Sequence, residues 1–254
     1  MPKFIWIFIV VGYFGTNCLQ AQDRITTDRP DRTEVATITP LHYFQGEFGF
    51  TIENLEGNNY NIIHPTGLMK YGLSKTFELR VEGDFSTEYR QLIPAPQKET
   101  GLNPLEIGFK AALIKEQKKL LPKTSVIVHA GIPVLATSNF KPDYIAPKIV
   151  FTMENDFTQS LGISYNLGTQ WDGFTSTPAW LYSLSFGFDL AKNWEGYVEG
   201  YGGAIKNKTP ENGVDGGIIY YISNDVKIDV NGGFGISNAA PDNYIGIGIS
   251  FRFR

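Results

Sequence analysis

The chain has 254 residues, 22 of them Lys or Arg and 26 Asp or Glu, and it is rich in glycine (27 residues) and in aromatic residues (14%). Without the first 21 residues, which include Lys3, 21 basic residues stand against 26 acidic ones. This negative balance argues against nucleic acid and against anionic membrane surfaces as partners. After residue 21, no apolar stretch approaches the roughly 18 residues that suggest a transmembrane helix.

Residues 1–21 have the pattern of a secretory signal peptide. Lys3 gives a basic start, Phe4–Gly15 is an apolar core, and the small residue Ala21 stands at the expected cleavage point. We therefore expect export through a cleaved signal. The only cysteine, Cys18, would leave with the signal, so the mature chain would have no thiol chemistry and no disulfides.

Residues 22–41 form a polar lead ahead of the first predicted strand. Its central residues are Asp28, Arg29, Pro30, Asp31 and Arg32, and Pro30 prevents a regular helix across them. We hypothesise that this lead enters the barrel mouth as a plug and pairs with lumen charges such as Glu78 or Lys70. The alternative is a flexible leader whose charges are solvated.

Twelve segments of residues 42–254 alternate apolar residues with polar or small ones, as strands with one apolar face do. The segments are His42–Glu53, Ile63–Ser74, Phe77–Glu88, Leu105–Leu113, Thr124–Ile132, Tyr144–Glu154, Phe157–Thr169, Ala179–Leu190, Trp194–Ala204, Val214–Ile222, Val226–Gly235 and Tyr244–Arg254. Their lengths match the roughly 9–11 residues with which a tilted strand crosses a bilayer. The fold class predicted is all-β, a transmembrane antiparallel up-and-down β-barrel of about 12 strands in the cell outer membrane.

The connections alternate in length, which predicts short periplasmic turns and longer outer loops. Asn155-Asp156 is one predicted turn, and Lys115–Pro122 is a longer basic connection on the short side. His64, next to Pro65, is predicted on a loop. Because lipid offers no hydrogen-bond partners to an open sheet edge, the sheet is expected to close.

The inward faces of these strands carry charged side chains that predict a polar lumen. The candidate lumen residues are Glu47, Lys70, Glu78, Arg80, Glu82, Asp84, Glu106, Lys110, Lys148, Glu154, Glu195, Glu199, Asp215, Asp229 and Arg252. One interpretation is a lumen open to cations or neutral polar solutes, with charges setting selectivity. The other is a lumen filled by mutually paired charges, as in small barrels.

Two stretches near the start of the mature chain carry a family resemblance. They are Ile25–Glu34, with its Thr-Asp-Arg-Pro-Asp sequence, and Phe44–Phe50, which contains Gln-x-Glu. With them the chain resembles the outer-membrane barrel family called "putative MetA-pathway of phenol degradation", which is transporter-like. The resemblance covers most of residues 25–254, and it implies a transport or channel role for hydrophobic or aromatic compounds.

We therefore predict a barrel for passive passage or binding of small solutes, whose identity the sequence does not give. Expected partners are outer-membrane lipid and the barrel-assembly machinery. A structural or adhesive barrel with ligand-binding loops is the first alternative. A membrane-embedded hydrolase is a weaker one, because His129 points inward by parity whereas such an enzyme needs Ser and His on the lipid-facing surface. No spacing indicates a metal or a cofactor.

Overall fold

The computed structural model describes residues 24–158 and 160–254, so the signal peptide predicted for residues 1–21 lies outside the described residues. The strands are β1 Phe44–Leu55, β2 Asn59–Ser74, β3 Phe77–Arg90, β4 Gln97–Leu102, β5 Leu105–Ile114, β6 Lys123–Ile132, β7 Ala146–Thr158, β8 Leu161–Gln170, β9 Ala179–Ala191, β10 Trp194–Ile205, β11 Glu211–Ser223, β12 Val226–Gly235 and β13 Asn243–Phe253. Short 3₁₀ helices occupy Glu56–Asn58, Pro133–Leu135 and Ser138–Phe140. Within the described residues, no helix is long and apolar enough to cross a membrane.

Twelve of the thirteen strands close into one antiparallel barrel. Each pairs with its neighbours in chain order, and β13 pairs with β1 from Phe44 opposite Phe253 to Asn54 opposite Asn243. We call this β1–β13 pairing the seam. The remaining strand, β4, pairs with the loop-end part of β3, from Phe85 to Arg90, on the same edge as β5, so it extends the wall beyond β5. The prediction of an antiparallel barrel of about 12 strands is confirmed.

The two ends of the barrel differ in their connections. At one end, the turn end, most connections are two residues long, such as 75–76, 192–193 and 224–225, and residues 115–122 are the exception. At the other, the loop end, longer links such as 91–104 and 133–145 join the strands. The predicted loop between the first two strands shrinks to residues 56–58, because both strands continue past their expected ends.

Two local predictions are wrong. Asn155 and Asp156 do not form a turn, because their backbones stay paired with Ile163 and Gly162 until β7 ends at Thr158. Gln117 from the neighbouring connection satisfies the backbone N–H of Asp156 (2.6 Å) and extends the strand. His64 is likewise not in a loop: it lies in β2, where the β2–β3 register shifts between Ile63 and Thr66.

The outward face of the barrel is apolar and exposed. On β13, Ile245, Ile247 and Ile249 are 59%, 55% and 43% exposed, while their neighbours Tyr244 and Ser250 are buried on the inner side. Side chains this apolar and this exposed are unusual for a protein surface in water and are normal for one in lipid. The barrel interior is the buried side, and its side chains are mostly polar or charged.

Candidate functional site: the lumen and the lead inside it

The lead, of which the structure describes residues 24–41, runs into the lumen and back out at the turn end. The backbone N–H of Ile25 donates to the carbonyl of Asn224 (2.8 Å), in the turn between β11 and β12. Further along, Ser125 of β6 donates to the carbonyl of Ala36 (2.6 Å). The N–H of His42 then donates to the carbonyl of Gly72 (2.8 Å), again near the turn end, just before β1 begins.

Asp28 is held at the centre of three wall cations: Lys70 of β2, Arg80 of β3 and Lys110 of β5. We call these three residues the cation triad. Carboxylate oxygen Oδ2 lies 2.8 Å from Lys70 Nζ and 2.9 Å from Arg80 Nη1, and Oδ1 lies 2.9 Å from Lys110 Nζ. The strands place these groups together, because Lys70 is directly opposite Arg80 in the β2–β3 pairing.

Two wall carboxylates complete this network. Glu78 lies opposite Lys110 in the β3–β5 pairing, and its Oε1 is 3.0 Å from Arg80 Nη1. Glu47 of β1 pairs with Lys70. Glu47 also accepts the backbone N–H groups of Asp28 (3.0 Å) and Arg29 (2.9 Å), so it binds the lead through main chain and network together.

On the opposite side of the lead, Arg29 reaches the seam. Its Nη2 lies 2.9 Å from Oδ1 of Asp229 on β12. The guanidinium group lies against Gly49 of β1 and Gly248 of β13, where a side chain would overlap it. Lys227 donates to the carbonyl of Arg29 (2.9 Å), so wall residues hold both the backbone and the side chain.

The far point of the lead is residues 32–34, which contact the wall of β8, β9 and β10. The N–H of Arg32 donates to Glu199 (2.7 Å), and Thr33 bonds both Ser183 (2.8 Å) and Glu199. Asn166 exchanges two hydrogen bonds with the backbone of Glu34, at 2.7 and 2.8 Å. On the other side, the Glu34 carboxylate lies 2.5 Å from Arg80 Nη2. The lead therefore spans the lumen from wall to wall at this level.

The remaining candidate lumen residues also point inward, at different heights. Glu154 pairs with Lys123 (3.0 Å), and Arg252 pairs with Asp225 (2.7 Å), both near the turn end. Glu195 accepts from Tyr221 (2.7 Å), and Asp215 accepts from Tyr244. Lys148 lies 3.8–3.9 Å from Glu34, Glu82 and Glu106. Asp84 continues the inward row of β3 beyond Glu82, and one of its oxygens has no hydrogen-bond partner.

The surroundings of Asp28 and Asp31, two carboxyl groups of the lead, shift their pKa values in opposite directions. Burial favours the neutral form of Asp28, but Lys110, Lys70 and Arg80 outweigh it and hold the pKa of this carboxyl well below its ordinary value. Burial raises the pKa of Asp31 to about 7, although the hydroxyl of Ser185 and the charge of Lys227 act in the other direction. Asp28 is therefore a permanent anion near neutral pH, whereas Asp31 titrates there.

Glu82, Glu106 and His129 bring three potential metal-ligating atoms within 4.8 Å of one another. Arg80 Nε donates to His129 Nε2 (3.1 Å), so Nδ1 carries the ring proton and donates it to Glu106 (3.0 Å). A metal at Nδ1 would have to displace that proton beside the ammonium group of Lys148. The donor set therefore fits an ion-pair network better than a metal site.

Three cavities lie around the lead. One of about 320 Å³ opens at the turn end, and another of about 310 Å³ lies on the loop-end side; Arg29, Pro30 and Asp31 line both. A third, of about 420 Å³, lies further toward the loop end and shares Arg32 with the second. The lead therefore separates the turn-end cavity from the two loop-end cavities. We call the two loop-end cavities together the outer chamber.

Sequence reasoning missed several of these contacts. Glu34 was not among the candidate residues, although it reaches Arg80 and Lys148. Tyr201 and Tyr244 were not either, yet Arg32 lies over their rings at 4.4 and 5.3 Å from the centroids. Strand parity could have found Tyr201, which follows Glu199 on the same face, whereas the partners of Glu34 depend on the path of the lead.

Known structures with a similar fold are outer-membrane barrels. An outer membrane channel from Pseudomonas putida F1 superposes with a TM-score of 0.66 at 8% identity, covering 86% of this chain and 98% of that one. A KdgM porin in complex with disordered oligogalacturonate gives 0.52 at 9% identity, covering 82% and 99%. These likenesses concern the fold.

The sequence comparisons point to one family. No curated protein matches the chain. The family model described as "Putative MetA-pathway of phenol degradation" matches residues 27–253, which include the lead from Thr27 onward and all thirteen strands. The chain therefore belongs to this family.

Proposed function

We propose that this chain allows passive passage of small polar solutes across an outer membrane, with the lead acting as a plug in the lumen. The observation that carries the proposal is the partition described above: one polar lumen with cavities on both sides of a segment that is not part of the wall. Wall side chains alone fill a barrel of about eight strands, and porins of about 16–18 strands leave an aqueous channel. This twelve-strand lumen lies between the two, and it keeps cavities beside the lead.

In this proposal the turn end faces the periplasm and the apolar outer face contacts outer-membrane lipid. Short turns on the periplasmic side and longer loops outside are the usual arrangement in these barrels. Export through a cleaved signal and insertion by the barrel-assembly machinery are parts of the same proposal.

The chemistry of the outer chamber supports polar solutes with a preference for cations. Its lining includes the acidic residues Asp31, Glu34, Glu47, Glu53, Glu82 and Glu211, against Arg29, Arg32 and Lys148 as cations. An acid-rich lining raises the local concentration of small cations. Tyr182 and Tyr201 also line it and offer ring faces to an aromatic solute, the class that the family's name suggests.

A catalytic role is not part of the proposal. Both ring nitrogens of His129 are engaged, by Arg80 and by Glu106. Nε2 of His64 is engaged by Thr87 (2.8 Å). The inward-facing imidazole of His129 is therefore not placed to take a proton from a serine on the lipid-facing surface, which is what the hydrolase alternative requires.

The test is conductance in planar lipid bilayers, comparing the native chain with the double variant Asp28→Asn/Glu34→Gln. Both substitutions keep the side-chain shape and remove two of the charges that bind the lead to the wall. We expect small or infrequent steps from the native chain and larger, longer steps from the variant. If both chains insert as folded barrels and neither conducts, the structural or adhesive alternative is correct.

A further inference from the structure

The barrel wall builds the cation triad without help from the lead. Lys70 and Arg80 are directly opposite one another on neighbouring strands, and Lys110 stands on the next strand of the ring. Like charges directly opposite in an antiparallel pair destabilise a sheet. With the lead in place, all three side chains are at most 2% exposed, so little water compensates their charges. The wall therefore requires anions at this position.

The wall supplies fewer carboxylates here than cations. Glu47 pairs with Lys70, and Glu78 pairs with Arg80 and lies 3.9 Å from Lys110. The three cations thus meet two wall carboxylates, and the lead supplies the rest. Asp28 contacts all three cations, whereas Glu34 reaches Arg80 at 2.5 Å and lies 4.0 Å from Lys110. Because Asp28 belongs to the lead and not to a strand, the charge balance of this wall depends on a segment that lies free of the sheet.

Asp28 is bound as a separate small carboxylate would be bound. Wall ammonium and guanidinium groups contact both of its oxygens at 2.8–2.9 Å. The lead itself adds one contact, from the N–H of Val35 to Oδ1 (3.1 Å). Charge-assisted hydrogen bonds to both oxygens of a carboxylate are the strong and specific ones.

A cavity on the loop-end side reaches Asp28. Asp28 lines the loop-end cavity of about 310 Å³, together with Arg32 and Lys148. One water takes about 30 Å³ of liquid volume. The space beside Asp28 can therefore hold a molecule of several non-hydrogen atoms.

We propose that the cation triad is a binding site for the carboxylate group of a small organic solute, and that Asp28 occupies it as an internal substitute in the resting state. This inference deepens the proposed function and rests on it for the idea of passage. An acid-rich chamber disfavours free anions, so a carboxylate solute needs a local site of opposite charge. Exchange of the solute carboxylate for that of Asp28 keeps the number of carboxylates on the cation triad constant, and it makes carboxylate passage saturable.

Binding can be tested without any measurement of passage. In the full chain carrying Asp28→Gly, refolded in detergent, acetate is the probe and acetamide is the matched neutral control. We expect the thermal midpoint to fall on substitution and to rise again with acetate, along a saturating curve, because a ligand that binds only the folded state stabilises it. Acetamide has the same shape without the charge and should leave the midpoint unchanged.

Two further variants make the result specific to the triad. Adding Lys110→Met to Asp28→Gly should abolish the response to acetate. An Asp143→Gly chain, changed at an exposed loop carboxylate, should show none. Equal responses to acetate and acetamide, or no acetate response in a folded Asp28→Gly barrel, would overturn the site.

A measurement on the native chain covers the case in which Asp28→Gly does not refold. In proteoliposomes, uptake of labelled succinate should saturate and should be slowed by excess acetate but not by acetamide. Succinate uptake that rises linearly and ignores acetate would contradict the exchange. If the native barrel passes no solute but the Asp28→Gly variant binds acetate, the proposed function is wrong and the carboxylate site is still supported.

Discussion

Gly49 of β1 lies directly opposite Gly248 of β13 in the seam that closes the barrel. The guanidinium group of Arg29 fills the space that two side chains would otherwise take. The first and last strands of the ring thus leave a notch, and the lead enters it with a cation that also pairs with Asp229 on β12. The lead and the seam stabilise each other through this contact.

Filling the notch should release the lead. A Cβ at position 49 would overlap the Arg29 guanidinium, so we expect Gly49→Ala to displace Arg29 and to cost about 1–3 kcal/mol, the usual penalty of overpacking. The variant should give larger conductance steps in planar bilayers. Gly187→Ala is the control, because a Cβ there meets no atom within 4 Å. Unchanged conductance and stability in Gly49→Ala would mean that the notch does not hold the lead.

Neutralising Asp28 should destabilise the barrel strongly. Asp28→Asn leaves Lys70, Arg80 and Lys110 buried with one carboxylate fewer, and breaking a buried ion pair in this way costs about 3–5 kcal/mol. The free energy of unfolding, measured by urea titration in detergent, should fall by that amount. Asp143→Asn, on an exposed loop, should change it by less than about 0.5 kcal/mol. A loss no greater than that of the control would show that water already screens the triad.

The sequence predicts the wall of this barrel well and the lumen less well, for physical reasons. On β13, one face is apolar and points outward, and the other points to the lead. Apolar residues therefore alternate strictly with polar or small ones, and the alternation shows which side chains point outward. Strand β4 was missed because Gln97–Leu102 lies mostly in water on both sides and shows no alternation. The contact of Arg29 with Asp229 spans 200 residues and needs the closed ring before it can be seen.

Asp31 should make the barrel more stable as the pH falls from 7 towards 4. Its pKa in the folded chain is raised by burial to about 7, from 3.8 ordinarily, so between these values the folded state binds a proton that the unfolded state does not. Stability from this carboxyl is therefore fully present below pH 3.8 and is lost as the pH rises through 7. Asp28 has the opposite sign, because its lowered pKa gives stability that persists down to pH 3.8 and is lost only below it.

Asp31→Asn isolates this effect. The variant should show a smaller change in the free energy of unfolding between pH 4 and pH 8 than the native chain, and it should be the more stable of the two at pH 8. Asp143→Asn should retain the native pH dependence. Identical pH profiles for the native chain and Asp31→Asn would place the titration on another group.

A charge at mid-height on the outer face should be costly, and the same charge beyond the strands should not. Ile247 lies in the middle of β13, faces outward and is flanked by Phe50 and Val230 on the neighbouring strands. If this face meets acyl chains, Ile247→Arg should lower the free energy of unfolding in lipid vesicles by about 2–4 kcal/mol, the cost of Arg at the bilayer midplane. Ile236 is equally apolar and even more exposed (65% against 55%), but it lies in the loop after β12, so Ile236→Arg should cost little. Exposure alone does not explain a larger cost of arginine at Ile247, because Ile236 is the more exposed of the two. A larger cost at Ile247 therefore indicates that the surroundings change from lipid to water along the barrel axis. Equal costs at the two positions would mean that no bilayer surrounds the strands.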